Sequence, residues 1–176
     1  MQTMIIYASP RKSSNSTTLA HAFMQEAQMH GAIQEVYLRN TKLEPCRACK
    51  WCKEHHRCLI TDAMNDLVVQ FKASSSICFA TPVYWWGVSA QLKLFIDRLY
   101  QLEPADFTGK RLYVIATGED TLDGVQYRLI KEQCEAICSY TGMEFAGYLP
   151  VCAGNDNPAG ENSQALESAK ALFKAE

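Results

Sequence analysis

Two groups of residues in this chain are spaced for chemistry. The first is Ser9 to Thr18, SPRKSSNSTT, which packs four serines, two threonines, an asparagine and Arg11 into ten positions. A short apolar run, Met4 to Ala8, precedes it and reads as a buried strand. After it Leu19, Ala20, Phe23, Met24 and Ala27 fall on one helical face. The unit is therefore strand, polar loop, helix start. Free N–H groups at a helix N-terminus, with the helix dipole behind them, suit an anion, and the hydroxyls and Arg11 add donors and charge. A cluster of N-cap residues is the plainer alternative, but a cap needs one such residue rather than six. The second group is Cys46-x2-Cys49-x2-Cys52-x5-Cys58. Three thiols at two-residue intervals can wrap one compact centre, and thiolates are soft ligands for iron–sulfur clusters or zinc. Zinc would draw on His55 or His56, and a loop of reduced thiols, with a redox-active pair among them, is the metal-free alternative.

The first loop has neither the Gly-x-x-x-x-Gly-Lys-Ser/Thr of triphosphate sites nor the Gly-x-Gly-x-x-Gly of dinucleotide sites. It suits a compact terminal phosphate, and the monophosphate of FMN fits. A third stretch, Pro82-Val83-Tyr84-Trp85-Trp86-Gly87, follows a buried apolar run. Three adjacent aromatics at a strand end cannot all face a core. They could pack on a flat conjugated ligand, or form an oligomer contact where Trp and Tyr are enriched. Thr117-Gly118-Glu119-Asp120 is a weaker, turn-like signal.

The elements that must position these loops follow from periodicity. Strands are expected at Met4–Ala8, Ile33–Leu38, Ser76–Ala80, Arg111–Thr117 and Phe145–Val151. Helical patterns follow from Thr17, from Asp62 as a cap, over Ser89–Gln101, over Val125–Tyr140 and over Gln164–Lys174. Residues 40–61 show neither period, which is long for a plain connection. Alternation of this kind implies a parallel sheet covered on both faces, with strand order 2-1-3-4-5 and ligands at the carboxyl ends of the strands. That geometry brings Ser9–Thr17, Pro82–Gly87 and Thr117–Gly124 together.

Composition narrows the class. The chain has 176 residues, 48% hydrophobic and 20% charged, with a net charge of −2. This suits one domain (residues 1–176) with a cysteine-rich insertion at about 40–61. The charge gives no case for nucleic acid or an anionic membrane surface. No apolar stretch is long enough to span a bilayer, and the chain opens on a core strand rather than a leader, so a cytoplasmic location is expected. Eight cysteines in such a protein point to metal or redox chemistry. Cys78, Cys134, Cys138 and Cys152 fall in core positions and read as packing residues, and His21 and His30 as helix-surface residues.

Three segments together resemble the flavodoxin-like NAD(P)H-dependent FMN reductase superfamily. They are Ser9 to Thr17, Ala80 to Trp85, and Leu92-Lys93-Leu94-Phe95-Ile96-Asp97-Arg98. The resemblance implies a flavodoxin-like αβα sandwich binding FMN, with phosphate on Ser9, Arg11, Asn15, Ser16 and Thr17. It places the isoalloxazine against Pro82, Val83, Tyr84 and Trp85, with Thr117 and Gly118 near the ring. Asp97 and Arg98, adjacent on a core-facing helix, read as a structural ion pair or cap and are left out of the site. The cysteine spacing resembles the iron–sulfur flavoprotein branch, whose motif binds a [4Fe–4S] cluster; Cys46, Cys49, Cys52 and Cys58 are then its ligands. Relatives with a similar segment before Thr61-Asp62-Ala63-Met64 are treated as plain flavoproteins.

The expected activity is hydride transfer from NAD(P)H through FMN to a small-molecule acceptor: a quinone, nitroaromatic, free flavin or metal complex. FMN carries that chemistry, so no catalytic side chain is named. The alternatives are an iron–sulfur flavoprotein electron carrier and a non-enzymatic binding module. A homodimer or homotetramer is expected from the resemblance and from Trp85-Trp86.

Overall fold

The computed structural model describes residues 1–174. Its strands are β1 (Gln2–Tyr7), β2 (Ala32–Tyr37), β3 (Ser76–Tyr84), β4 (Gly87–Val88), β5 (Arg111–Gly118) and β6 (Glu144–Cys152). The helices are α1 (Asn15–Ala27), α2 (Trp51–His55), α3 (Met64–Ala73), α4 (Ala90–Arg98), α5 (Val125–Thr141) and α6 (Ser163–Leu172). The strand order is β2-β1-β3-β5-β6, all parallel, with β4 paired antiparallel to β3. Without the two-residue β4 this is the expected 2-1-3-4-5 order.

Alternation along each strand splits the core into two halves. Met4, Ile6 and Ala8 face α3, α4 and α5, among Leu67, Phe71, Leu92, Phe95 and Ile130. Ile5 and Tyr7 face α1 and α6, among Leu19, Phe23, Ala165 and Ala169. A sheet covered on both sides needs continuous apolar strands, and β1 and β5 supply them.

Four expectations change. Residues 82–87 are not an open loop: β3 runs on to Tyr84, and Val83 pairs with Val88 and Tyr84 with Gly87 across a two-residue turn. The segment 40–61 contains the short helix α2. Asp62 does not sit at the N-cap of α3, which is Ala63, although its carboxylate accepts the Met64 N–H at 3.0 Å. Asp97 and Arg98 also do not pair with each other. Asp97 takes Lys93 at 2.6 Å, and Arg98 reaches Asp62.

Candidate active site

The phosphate-type loop is shaped by its own hydroxyls. Ser14 caps α1: its Oγ accepts the Thr17 N–H at 3.2 Å and lies 2.9 Å from Thr17 Oγ1. Ser9 Oγ accepts the Arg11 N–H at 3.2 Å, turning the chain just after β1. Among the described residues no acceptor is found for the N–H groups of Asn15 and Ser16, which therefore face the loop as free donors.

A cavity of about 650 Å³ opens at this point, at the carboxyl ends of β1, β3, β5 and β6. Its volume is in the range of small-molecule and cofactor sites. Of the residues named from sequence, Ser9, Arg11 and Asn15 line one end of it, and Pro82, Val83, Tyr84, Thr117 and Gly118 line the rest. Ser16 and Thr17 are not on its wall; their side chains are buried beside Ser14. Trp85 instead borders an adjoining cavity that shares Val83, Tyr84, Gly118 and Glu119 with the first.

Sequence reasoning missed the segment after β6. Ala153, Gly154, Asn155, Pro158, Gly160 and Glu161 close the cleft opposite the serine loop. Asn15 binds this segment: its Oδ1 accepts the Ala159 N–H at 2.9 Å and its amide donates to Gly154 O at 3.4 Å. Asn157 Oδ1 accepts the Gly154 N–H at 2.7 Å. The signal was present in Gly154-Asn155-Asp156-Asn157-Pro158, a turn-rich stretch at the carboxyl end of another parallel strand. Glu119 and Glu161 put carboxylates in the same cleft.

Two side chains fix the surrounding backbone. Ser89 donates to Ala8 O at 2.8 Å while accepting the Leu92 N–H at 3.3 Å, so it caps α4 and ties it to the end of β1. The Tyr127 hydroxyl sits 3.0, 3.2 and 3.3 Å from the carbonyls of Gly118, Asp120 and Val151. Burial pushes that phenol up to about 12, so it stays a donor to the loop ends throughout the neutral range.

The aromatic hairpin is strained. Trp85 and Trp86 have φ of +47° and +61°, where glycine or asparagine normally sits in a two-residue hairpin turn. Trp85 is 91% exposed and Trp86 54%. Bulky residues persist in such conformations mainly at functional surfaces.

The cysteine loop is built differently. Cys46 and Cys49 are exposed, Cys58 is half-buried and Cys52 is buried, and all are free thiols. Ala48, Lys50 and His56 take left-handed backbone angles. Among the described residues no three His, Cys, Asp or Glu side chains are gathered as a bound metal requires, and His55 stacks on Trp51. The loop is fastened at its ends. The buried Arg98 guanidinium donates to both oxygens of Asp62, at 2.8 and 3.0 Å, and to Glu44 O at 2.8 Å. Burial alone would raise the Asp62 carboxyl; hydrogen bonds from Arg98 and from the Glu44 and Met64 N–H groups outweigh it and hold it below the ordinary carboxylate range. Cys78, Cys134 and Cys138 are buried, and burial raises all three thiols, which suits inert packing. Cys152 departs from that expectation. It is partly exposed, with its sulfur 3.6 Å from Glu119 O at the mouth of the cleft.

A parallel αβα sandwich with a cleft between a serine-rich loop and an aromatic hairpin defines a flavodoxin-like protein. The profile of the NADPH-dependent FMN reductase family matches residues 1–132, and the chain belongs to that family. It is 36% identical over 153 residues to an iron–sulfur flavoprotein of Archaeoglobus fulgidus, covering 85% of this chain and 75% of that one. It is 31% identical over 185 residues to a putative NAD(P)H-dependent FMN-containing oxidoreductase of Bacillus subtilis, covering 99% and 97%. Among solved structures, the Trp repressor binding protein of Bacillus subtilis superposes with a TM-score of 0.73 at 25% identity, covering 99% of this chain and 100% of that one. An FMN-dependent NADH-azoreductase of Bacillus anthracis, solved with FMN, gives 0.73 at 16% identity over 99% and 100%, a likeness of fold. The chain is an FMN-dependent NAD(P)H oxidoreductase. Among the described residues no helix is long and apolar enough to cross a membrane.

Proposed function

We propose that this protein takes hydride from NAD(P)H and delivers it to a quinone, nitroaromatic, free flavin or metal complex, with FMN held in the cleft of about 650 Å³. The observation that carries this reading is the cleft itself: free helix N-terminal donors and Arg11 at one end, Pro82 to Tyr84 at the other. FMN supplies the redox chemistry when bound. The chain binds, orients and shields it. Ser9, Arg11 and the N–H groups of Asn15 and Ser16 take the phosphate. Pro82, Val83 and Tyr84 pack against the ring, with Thr117 and Gly118 along its edge. Ser16 and Thr17 contribute backbone and shape rather than hydroxyls. The adjoining cavity under Trp85 and Trp86 leaves room for NAD(P)H or the acceptor. The chain acts as one domain, and the exposed tryptophans suit a homodimer or homotetramer. Steady-state NADPH oxidation with menadione tests the reading: turnover that depends on both FMN and menadione supports it, and a flavin-loaded protein inert to NADH and NADPH refutes it.

A second reading is an iron–sulfur flavoprotein carrying a [4Fe–4S] cluster on Cys46, Cys49, Cys52 and Cys58. Four thiols suit such a cluster in number and softness, although among the described residues they are not gathered into one group. What supports this reading is the similarity of the chain to the iron–sulfur flavoprotein of Archaeoglobus fulgidus. Anaerobic purification with iron and sulfide analysis decides between the readings.

A further inference from the structure

We propose that the cavity under Trp85 and Trp86 selects its acceptor by charge: it takes an uncharged or cationic flat ring and turns away an anionic one. The inference rests on the hydride-transfer reading above and narrows its acceptors to one class. The cavity, of about 980 Å³, shares Val83, Tyr84, Gly118 and Glu119 with the flavin cleft, so the two open onto common walls. Most of its surface is apolar, from Val83, Tyr84, Val88, Ala90 and the two tryptophans. Such walls suit a flat conjugated molecule and leave a few polar groups to decide which one.

Those polar groups are one-sided. Glu119 and Asp120 put exposed carboxylates on the wall. Gln126 joins them from the first turn of α5. It is 4% exposed, and its Oε1 has no partner among the described residues. Gly124 brings Gln126 and Asp120 together. A Cβ at that position would lie 2.6 and 2.7 Å from the two ends of the Gln126 amide and 2.8 Å from Asp120 Oδ2, so the bare glycine makes room for both side chains. The other oxygen of Asp120 is already committed, accepting the Thr121 N–H at 2.8 Å. An unpartnered acceptor beside a carboxylate favours positive charge at the wall and penalises negative charge.

Lys93 is the one cation on this wall among the described residues, and it is paired: its Nζ donates to Asp97 Oδ1 at 2.6 Å, one turn along α4. Arg11, the cation of the flavin cleft, stands at the serine-loop end and is matched to the phosphate in the reading above. An anionic acceptor would therefore meet Glu119 and Asp120 with no free cation to answer it. The hydride donor obeys the same rule, since a dihydronicotinamide ring is uncharged and becomes a cation when it gives up hydride to the flavin. Uncharged quinones and nitroaromatics fit the rule, and anionic metal complexes do not.

The test measures kcat/KM at saturating NADH for menadione, which is uncharged, and for a naphthoquinone sulfonate, an anion on a similar ring. The readout is the ratio of the two values in wild type, Asp120→Asn and Asp97→Asn. The quinones also differ in driving force, but that difference is common to all three proteins. Salt screens the carboxylates, so the ratio of menadione to sulfonate is expected to fall as ionic strength rises. It is expected to fall by about two- to fivefold in Asp120→Asn, which removes a wall charge, and in Asp97→Asn, which frees Lys93. A ratio that salt leaves unchanged, or that both variants leave at the wild-type value, overturns the selection and leaves the hydride-transfer reading standing. A flavin-loaded protein inert to NADH and NADPH with both quinones overturns the two together. The salt series is run on wild type, so the selection stays open to refutation even where a variant does not fold.

Discussion

The serine loop at the end of β1 and the cysteine loop between Glu44 and Asp62 both connect elements of one sheet, yet they are held in opposite ways. In the serine loop the side chains spend their hydrogen bonds on local backbone and leave main-chain donors free for a ligand. In the cysteine loop the thiols are left free and the ends are locked by a buried ion pair. The first arrangement leaves main-chain donors free at a helix N-terminus and is supported by secondary structure. The second is an exposed loop fastened by Arg98 to Asp62 and to Glu44 O. A site that rests on a helix N-terminus should tolerate loss of one side chain, whereas a loop that rests on one buried pair should not.

The largest expected effect breaks the second region. Asp62→Ala leaves the Arg98 guanidinium buried without its carboxylate, and urea unfolding should show a loss of about 3–5 kcal/mol. Flavin affinity in the folded fraction should stay close to wild type, because neither residue of the pair lines the cleft.

The next effect separates residues within the first region. Arg11→Ala removes a charge at the cleft and should weaken FMN by about 1.5–3 kcal/mol, or roughly ten- to a hundredfold, in a fluorescence titration. Ser16→Ala should leave the dissociation constant within about twofold of wild type, since that hydroxyl is off the wall. Equal losses in the two variants would merge side-chain and backbone roles and undo the distinction.

A smaller effect is expected where the start of α1 meets the segment after β6. Asn15→Ala frees the Ala159 N–H and Gly154 O from their amide partner. Stability should fall by about 1 kcal/mol by thermal unfolding, with faster amide exchange confined to residues 153–161. The pH dependence follows from Asp62. Its folded pKa lies below the ordinary value, so its stabilisation is fully present above about pH 3.9 and is lost as pH falls through the folded pKa. Acid unfolding of wild type should therefore show a proton uptake that Asp62→Asn lacks. The smallest effect is Trp85→Asn, which should stabilise the hairpin by about 1 kcal/mol because asparagine tolerates the left-handed angle.

Much of this contrast was legible in the sequence, and its limits have physical causes. Strand order followed from apolar runs alternating with helical periods, and the positions of Ser9, Pro82 and Thr117 on one sheet edge followed from topology. Ser16 and Thr17 lie off the cleft wall for a reason that hydroxyl composition does not reveal, namely which hydroxyls an N-cap consumes; Ser14 takes Thr17 and covers Ser16. The β6 segment was missed because its contact with Asn15 spans 144 positions in the chain. The hairpin at Trp85-Trp86 was hidden because no turn residue marks it: Trp occupies both positions where Asn-Gly would have signalled it. Arg98 reads as structural from its helix face, but its partner Asp62 lies 36 positions away, before α3, and only the folded chain brings the two together.

The central claim is that the cleft holds a flavin by its phosphate. Parallel titrations of flavin-free protein with FMN and with riboflavin, followed by flavin fluorescence, test it most directly. Several charge-assisted hydrogen bonds to one phosphate predict that FMN binds at least about a hundredfold more tightly than riboflavin. Equal affinity for the two, or no quenching by either, would contradict it.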